Sequence, residues 1–138
     1  MSLTDLSVGE QLFTRSFTVD RDRLVRYAGA SGDFNPIHYN DAIADDVGLP
    51  GVIAHGMLTM GLGAAALTEW AGDPGAVTAY GVRFTRPVVV PPRGAVDVVV
   101  VGTVGAIDET AGTVRVDLRV TCDDTTVLAK AQATVRRS

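Results

Sequence analysis

The sequence has 138 residues, of which 46 % are hydrophobic and 20 % charged, and its net charge is −4. That is chain enough for one core and one domain, expected over residues 1–138, and an acidic balance with no Lys/Arg run excludes a basic nucleic-acid surface. The longest apolar run, Met57 to Leu67, is shorter than the roughly 20 residues that span a bilayer.

The single cysteine, Cys122, has no partner for an internal disulfide. It sits in an apolar alternation and reads as core, not as a nucleophile. The N-terminus has no basic-then-apolar leader pattern. A cytoplasmic protein with no membrane partner is the expectation.

Residues 1–9 read as a loose lead-in. Gln11 to Val19 mixes β-branched and aromatic residues and predicts a strand. Asp20 then offers an N-cap. Leu24, Tyr27 and Ala28 share a helical face, and Asp22 can pair with Arg26 one turn on. Arg21, Arg23 and Arg26 alternate with acids and read as a solvated face. Gly29 and Gly32 bracket an exit near Ala30, and Pro36 excludes a regular helix through Asn35. Asn40 can cap a short helix over Asp41 to Val47, with Gly48 at its end. Leu49-Pro50-Gly51 is a turn, and Val52 to Ala54 a brief extended piece.

Met57 to Trp70 shows no polar face before Thr68 and Glu69. A helix apolar all round is expected to be buried all round. Gly61, Gly63 and Ala64 to Ala66 leave room for close packing. Asp73-Pro74-Gly75 ends the helix. Val77 to Val88 is a strand candidate closed by Pro87, and Ala95 to Gly105 is valine-rich. Thr113 to Cys122 puts Val114, Val116, Leu118, Val120 and Cys122 on one face. Val127 to Val135 alternates as well. Short turns at Pro91–Gly94, Asp108–Gly112 and Asp123–Thr125 imply antiparallel pairing. One all-apolar helix and at least four one-sided strands are satisfied together by a curved antiparallel sheet wrapped around a long buried central helix. This is an α+β arrangement.

The polar residues gather at the mouth of the apolar helix. Asp33 and His38 flank a turn fixed by Pro36, so a carboxylate and an imidazole can converge on one small molecule such as water. Gly56 stands where the helix begins, and an N–H there, with no side chain in the way, can hold a carbonyl oxygen as it gains charge. Acid, base and oxyanion donor together suit proton removal beside a thioester carbonyl. Each piece also has a structural reading. Asp33 and Asn35 are ordinary turn residues. His55 can simply cap or pack, and Gly56 can serve close packing alone. Ser31 lacks the glycine-flanked elbow of a serine nucleophile and reads as a helix-ending serine. Asp33, His38 and His55 match no standard zinc spacing. Arg83 and Arg86 read as strand-face charges, or else meet an anionic tail.

Taken together, Tyr27-Ala-Gly-Ala-Ser-Gly-Asp-Phe-Asn-Pro-Ile-His38 resembles the signature of the MaoC-like (R)-specific enoyl-thioester hydratases, and Ile53-Ala-His-Gly-Met57 resembles their second landmark. Within that family, His55-Gly-Met-Leu-Thr-Met-Gly61, Gly72-Asp-Pro-Gly-Ala-Val77 and Val82-Arg-Phe-Thr85 are similar to the catalytic subunit of mycobacterial-type (3R)-hydroxyacyl-carrier-protein dehydratases. The resemblance implies a hot-dog fold, a dimer, catalysis by Asp33 and His38, and a thioester-oxygen site at Gly56. It gives Ser31 and Asn35 supporting places, and His55, beside Gly56, is counted with them as a supporting residue.

The expected reaction interconverts a (3R)-hydroxyacyl thioester with a trans-2-enoyl thioester and water. No metal or redox cofactor is expected, and the carrier, CoA or acyl carrier protein (ACP), is part of the substrate. The partner is a second copy or a related hot-dog chain. A hot-dog thioesterase and a non-catalytic partner subunit are the alternatives, since fold does not fix function. Intact Asp33, Asn35 and His38 count against the second.

Overall fold

The computed structural model describes residues 5–137, so part of the expected lead-in over residues 1–9 lies outside it. What is described there is not loose. Leu6 is buried in the core, and the Gly9 N–H bonds to Val104 O at 2.8 Å.

Strand β1 (Gln11–Val19) leads into α1 (Arg21–Ser31), a short α2 (Asp41–Asp46) and the long α3 (Gly56–Ala71). Strands β2 (Val77–Phe84), β3 (Val96–Asp108), β4 (Thr113–Cys122) and β5 (Thr125–Arg136) follow. All pairings are antiparallel, in the order β1-β3-β4-β5-β2. Leu58, Leu62, Ala66 and Leu67 of α3 meet Val100, Val116, Val120 and Leu128 of the sheet in one core. The β4 alternation is as the sequence predicts: its even-numbered residues from Val114 to Cys122 are buried.

The helix ends follow local chemistry. Asp20 accepts from the Arg23 N–H at 2.9 Å and caps α1, and Gly32, at φ +76, ends it in the left-handed region that glycine adopts without steric cost. Asn40 accepts from the Ile43 N–H and caps α2. Asp22 and Arg26 pair at 3.0 Å. Arg21 departs from the solvated-face reading. Its guanidinium holds both Asp41 oxygens, at 2.8 and 3.1 Å, and the Val90 carbonyl at 2.9 Å. That clamp ties the starts of α1 and α2 together, and its hydrogen bond holds the Asp41 carboxyl below the usual carboxylate range.

Three sequence expectations are corrected. First, α3 is not buried on every side. Met57, Gly61, Ala65 and Glu69, four residues apart, form an open stripe, because the sheet curls around one side of the helix only. Second, β2 stops at Phe84 and does not run on to Val88. Pro87 has no N–H to give a ladder, and the chain crosses to pair with residues 52–54 through Val90 N–Val52 O and Ala54 N–Val88 O. Third, the β5 alternation slips at Lys130, whose φ is +46. Leu128 and Ala131 both face the core, with an extra residue between them against β4.

Gly63 has its own reason for lacking a side chain. The Tyr80 hydroxyl donates to Met60 O at 2.8 Å, and a Cβ on Gly63 would meet that oxygen at 2.5 Å. Burial pushes the Tyr80 hydroxyl up to about 12, so it remains a donor.

Candidate active site

The turn after α1 is built from side chains bonding to backbone. Ser31 Oγ accepts from the Asp33 N–H (3.2 Å), Asp33 Oδ1 from the Asn35 N–H (3.1 Å) and Asn35 Oδ1 from the Ile37 N–H (3.2 Å). The chain then closes a 3-10 turn over Pro36–His38. Ser31 thus works as a turn residue and makes no hydrogen bond to His38. Asp33 serves the turn with one oxygen and turns the other toward His38.

His38 is held from behind. Its Nδ1 lies 2.7 Å from the carbonyl oxygen of Ile53, in the extended piece that residues 88–90 keep in place. A carbonyl only accepts, so Nδ1 carries a proton, and in the neutral ring Nε2 presents a lone pair. That Nε2 faces Asp33 Oδ2 at 3.8 Å. The gap is too wide for a direct hydrogen bond, and an oxygen placed about 2.8 Å from both atoms fits between them.

His55 lies beneath. Only 2 % of it is exposed, against 7 % for His38, and the rings stack with centroids 3.8 Å apart and planes 23° from parallel. The Tyr27 ring meets His55 edge-on at 4.7 Å. His55 Nε2 donates to the Asp33 carbonyl at 3.1 Å, while Nδ1 is buried with no partner among the described residues. Burial, with the charge of His38 adding to it, holds His55 below the ordinary histidine range, and the bond to Asp33 opposes this in part. The residue stands at the N-cap of α3 without making a side-chain cap bond, and its ring packs against His38 and Tyr27.

Gly56 opens α3, and its N–H has no acceptor among the described residues. The residue is exposed and lines a cavity of about 250 Å³ with Ile53, Thr59, Phe84, Arg86 and Leu128. Asp33 and His38 do not line it. Ile53 and Gly56 join it to them, Ile53 through the carbonyl that holds His38. A Cβ on Gly56 would come within 3.1 Å of the Phe84 ring. Arg86 sits on the cavity wall, and neither it nor Arg83 makes an ion pair among the described residues.

Asp33, His38 and His55 each bring a ligand atom within 4.8 Å of the others. One nitrogen of each ring is already bonded to a backbone carbonyl, His38 Nδ1 to Ile53 and His55 Nε2 to Asp33, and the spacing of the three residues matches no standard zinc pattern. Cys122 is buried beside β3, and burial pushes its thiol up, as suits a core residue.

Sequence reasoning singled out Asp33, His38 and Gly56; the fold brings Asp33 and His38 within 3.8 Å of each other, and places Gly56 on the wall of a cavity that those two do not line. It missed the Ile53 carbonyl, the Tyr27 edge and the Phe84 ring. Tyr27 and Phe84 stood within stretches already marked as distinctive, and nothing local signalled their contacts.

A family model described as "MaoC like domain" matches residues 6–121. Over 70 residues, half of this chain, the sequence is 49 % identical to the 3-hydroxyacyl-thioester dehydratase X of Mycobacterium tuberculosis and covers 24 % of it. A solved MaoC-like dehydratase superposes with a TM-score of 0.96 and 42 % identity over 99 % of this chain, which spans 42 % of that protein. An unliganded R-hydratase of Pseudomonas aeruginosa gives a TM-score of 0.83 at 28 % identity, with 99 % of this chain and 84 % of that one covered. The likeness carries the hot-dog arrangement of sheet and helix, while the chain spans less than half of the first two relatives.

Proposed function

This chain belongs to the MaoC-like domain family, and from that premise we propose that it is a hydro-lyase acting on acyl thioesters. As one domain it interconverts a (3R)-hydroxyacyl thioester with a trans-2-enoyl thioester and water. The observation that carries the reading is the 3.8 Å gap between His38 Nε2 and Asp33 Oδ2, beside a helix that opens on an unpaired Gly56 N–H.

In the hydration direction a water oxygen sits between the two side chains. His38 Nε2, already fixed as the acceptor, and Asp33 Oδ2 orient it and take one of its protons. The oxygen bonds to Cβ, the 2,3-double bond opens, and charge moves to the thioester oxygen. The Gly56 N–H and the positive end of α3 stabilise that charge. The pair returns one proton to Cα, so the site ends as it began. Dehydration is the same path reversed. The carrier is CoA or ACP, and the proposed location is the cytoplasm; among the described residues no helix is long and apolar enough to cross a membrane.

Asp33 and His38 leave one short turn, so water's oxygen and the proton add to one face. Hydrating a trans-2-enoyl thioester in deuterated water is expected to give the 3R alcohol with one deuterium configuration at C2. A racemic, anti or exclusively 3S product would overturn the reading. Thiol release from a saturated acyl-CoA would favour the thioesterase alternative.

The working unit is proposed to be a dimer with a second copy or a related hot-dog chain. The open α3 stripe of Met57, Gly61 and Ala65 and the free edge of β2 support this. Light scattering is expected to show a dimer at micromolar concentration, and a stable, active monomer would refute it.

A further inference from the structure

We propose that His55 is a positioning residue for the Asp33–His38 pair: its ring is the plate on which the His38 ring lies, and its Nε2–H fixes the backbone of Asp33. The inference rests on the hydro-lyase reading and adds a role to that same site.

His55 touches both proposed catalytic residues at once, the His38 ring at 3.8 Å between centroids and the Asp33 carbonyl at 3.1 Å. The turn holds the Asp33 carboxylate by one oxygen and the Ile53 carbonyl holds His38 by one nitrogen, which leaves the Asp33 backbone and the face of the His38 ring to be fixed by His55. The Asp33 carbonyl is anchored to the residue at the start of α3, so the carboxylate and the Gly56 N–H are held in one frame. A ring that served packing alone has cheaper substitutes. Phenylalanine or leucine would fill a 2 % exposed space without burying an acceptor, yet His55 Nδ1 is buried with no partner. Nor does the side chain serve the helix, since it makes no cap bond.

The two rings also hold their protons in opposite ways. His38 carries its proton on Nδ1, toward Ile53 O, and His55 on Nε2, toward Asp33 O. The titratable groups facing His55 are His38 and Asp33 from the turn and the Tyr27 ring from α1. A second positive charge on rings stacked 3.8 Å apart is disfavoured. The free nitrogen of His38 looks at the Asp33 carboxylate, whereas His55 Nε2 is committed to the Asp33 backbone. His55 stays a donor to backbone throughout the cycle, and His38 exchanges protons with substrate.

The chain contains two histidines, which makes the test direct. Nitrogen-15 spectra of the imidazoles in the wild-type protein should show opposite neutral tautomers. His55→Phe keeps a stacking ring and removes the N–H; His55→Gln keeps a donor and removes the ring. Each should lower kcat by up to about 10²-fold, the scale of a small misplacement of reacting groups, with KM changed by much less. Asp33→Asn and His38→Ala are measured in parallel. If those two remain active, the hydro-lyase reading itself is wrong. If they are inactive while both His55 variants keep the wild-type kcat, only the positioning role falls. It falls equally if neutral His55 carries its proton on Nδ1 and not on Nε2, a result that needs no variant to fold.

Discussion

Between Ser31 and Gly56 side chains share the holding of the backbone with backbone bonds; between Val96 and Arg136 backbone ladders hold it almost alone. In the first region Ser31, Asp33, Asn35 and Asn40 each accept an N–H two or three residues onward, and the His38 side chain bonds to the Ile53 carbonyl fifteen residues along the chain. In the second, β3, β4 and β5 pair in continuous antiparallel ladders, with side chains left to pack inward or point to solvent. The difference shows where chemistry is affordable. A strand fixes its shape without polar side chains, so its inner face can be wholly apolar. A turn needs polar side chains near one another, and the same atoms can then be turned toward a substrate. Asp33 does both, one oxygen to the Asn35 N–H and the other toward His38.

The largest effects should separate the two regions cleanly. Asp33→Asn keeps an oxygen for the turn and His38→Ala removes one ring, so both proteins should fold while turnover falls about 10²–10⁴-fold. The double variant should lose less than the product of the two, because both groups act on one water. Leu67→Ala is the opposite case: a fully buried α3 side chain whose loss should cost about 2–5 kcal/mol of stability and leave kcat per folded molecule unchanged. Denaturation curves and initial rates on the same samples decide this. A folded, fully active Asp33→Asn, or a Leu67→Ala that loses turnover without stability, would break the division.

Two glycines of α3 sharpen it within one helix. Gly63→Ala drives a Cβ against the Tyr80 hydroxyl and should cost about 1–3 kcal/mol with kcat retained. Gly56→Ala meets the ring of Phe84, which is 53 % exposed and free to swing. That variant should keep its melting temperature and lose activity, by less than the roughly 10²-fold that follows removal of an oxyanion donor.

The smallest effect concerns acid. His55 is held below its ordinary value of 6.5 in the folded chain. The unfolded chain then binds more protons as pH drops through that value. The stability it contributes is present above 6.5 and is lost as pH falls through the lower folded value. Urea midpoints should decline over that window in the wild type and decline less in His55→Phe. An equal decline in both would assign the loss to other groups.

What the sequence determined by itself was whatever depends on near neighbours. Strand β1 over Gln11–Val19, the caps at Asp20 and Asn40, the alternation of β4 and the placing of Asp33 and His38 on one turn all follow from spacing and short-range hydrogen bonds. The long signature around Asp33 belongs with these, because a turn that is also a site needs its residues in fixed order. Tertiary structure alone decided the rest. The early end of β2, the Lys130 bulge and the open stripe of α3 depend on which strand lies beside which. Above all, His38 and His55 are 17 residues apart, and neither a period of 2 nor one of 3.6 relates them. Their stacking exists because residues 88–90 hold 52–54 in place, so that the Ile53 carbonyl meets His38 and the start of α3 arrives under its ring.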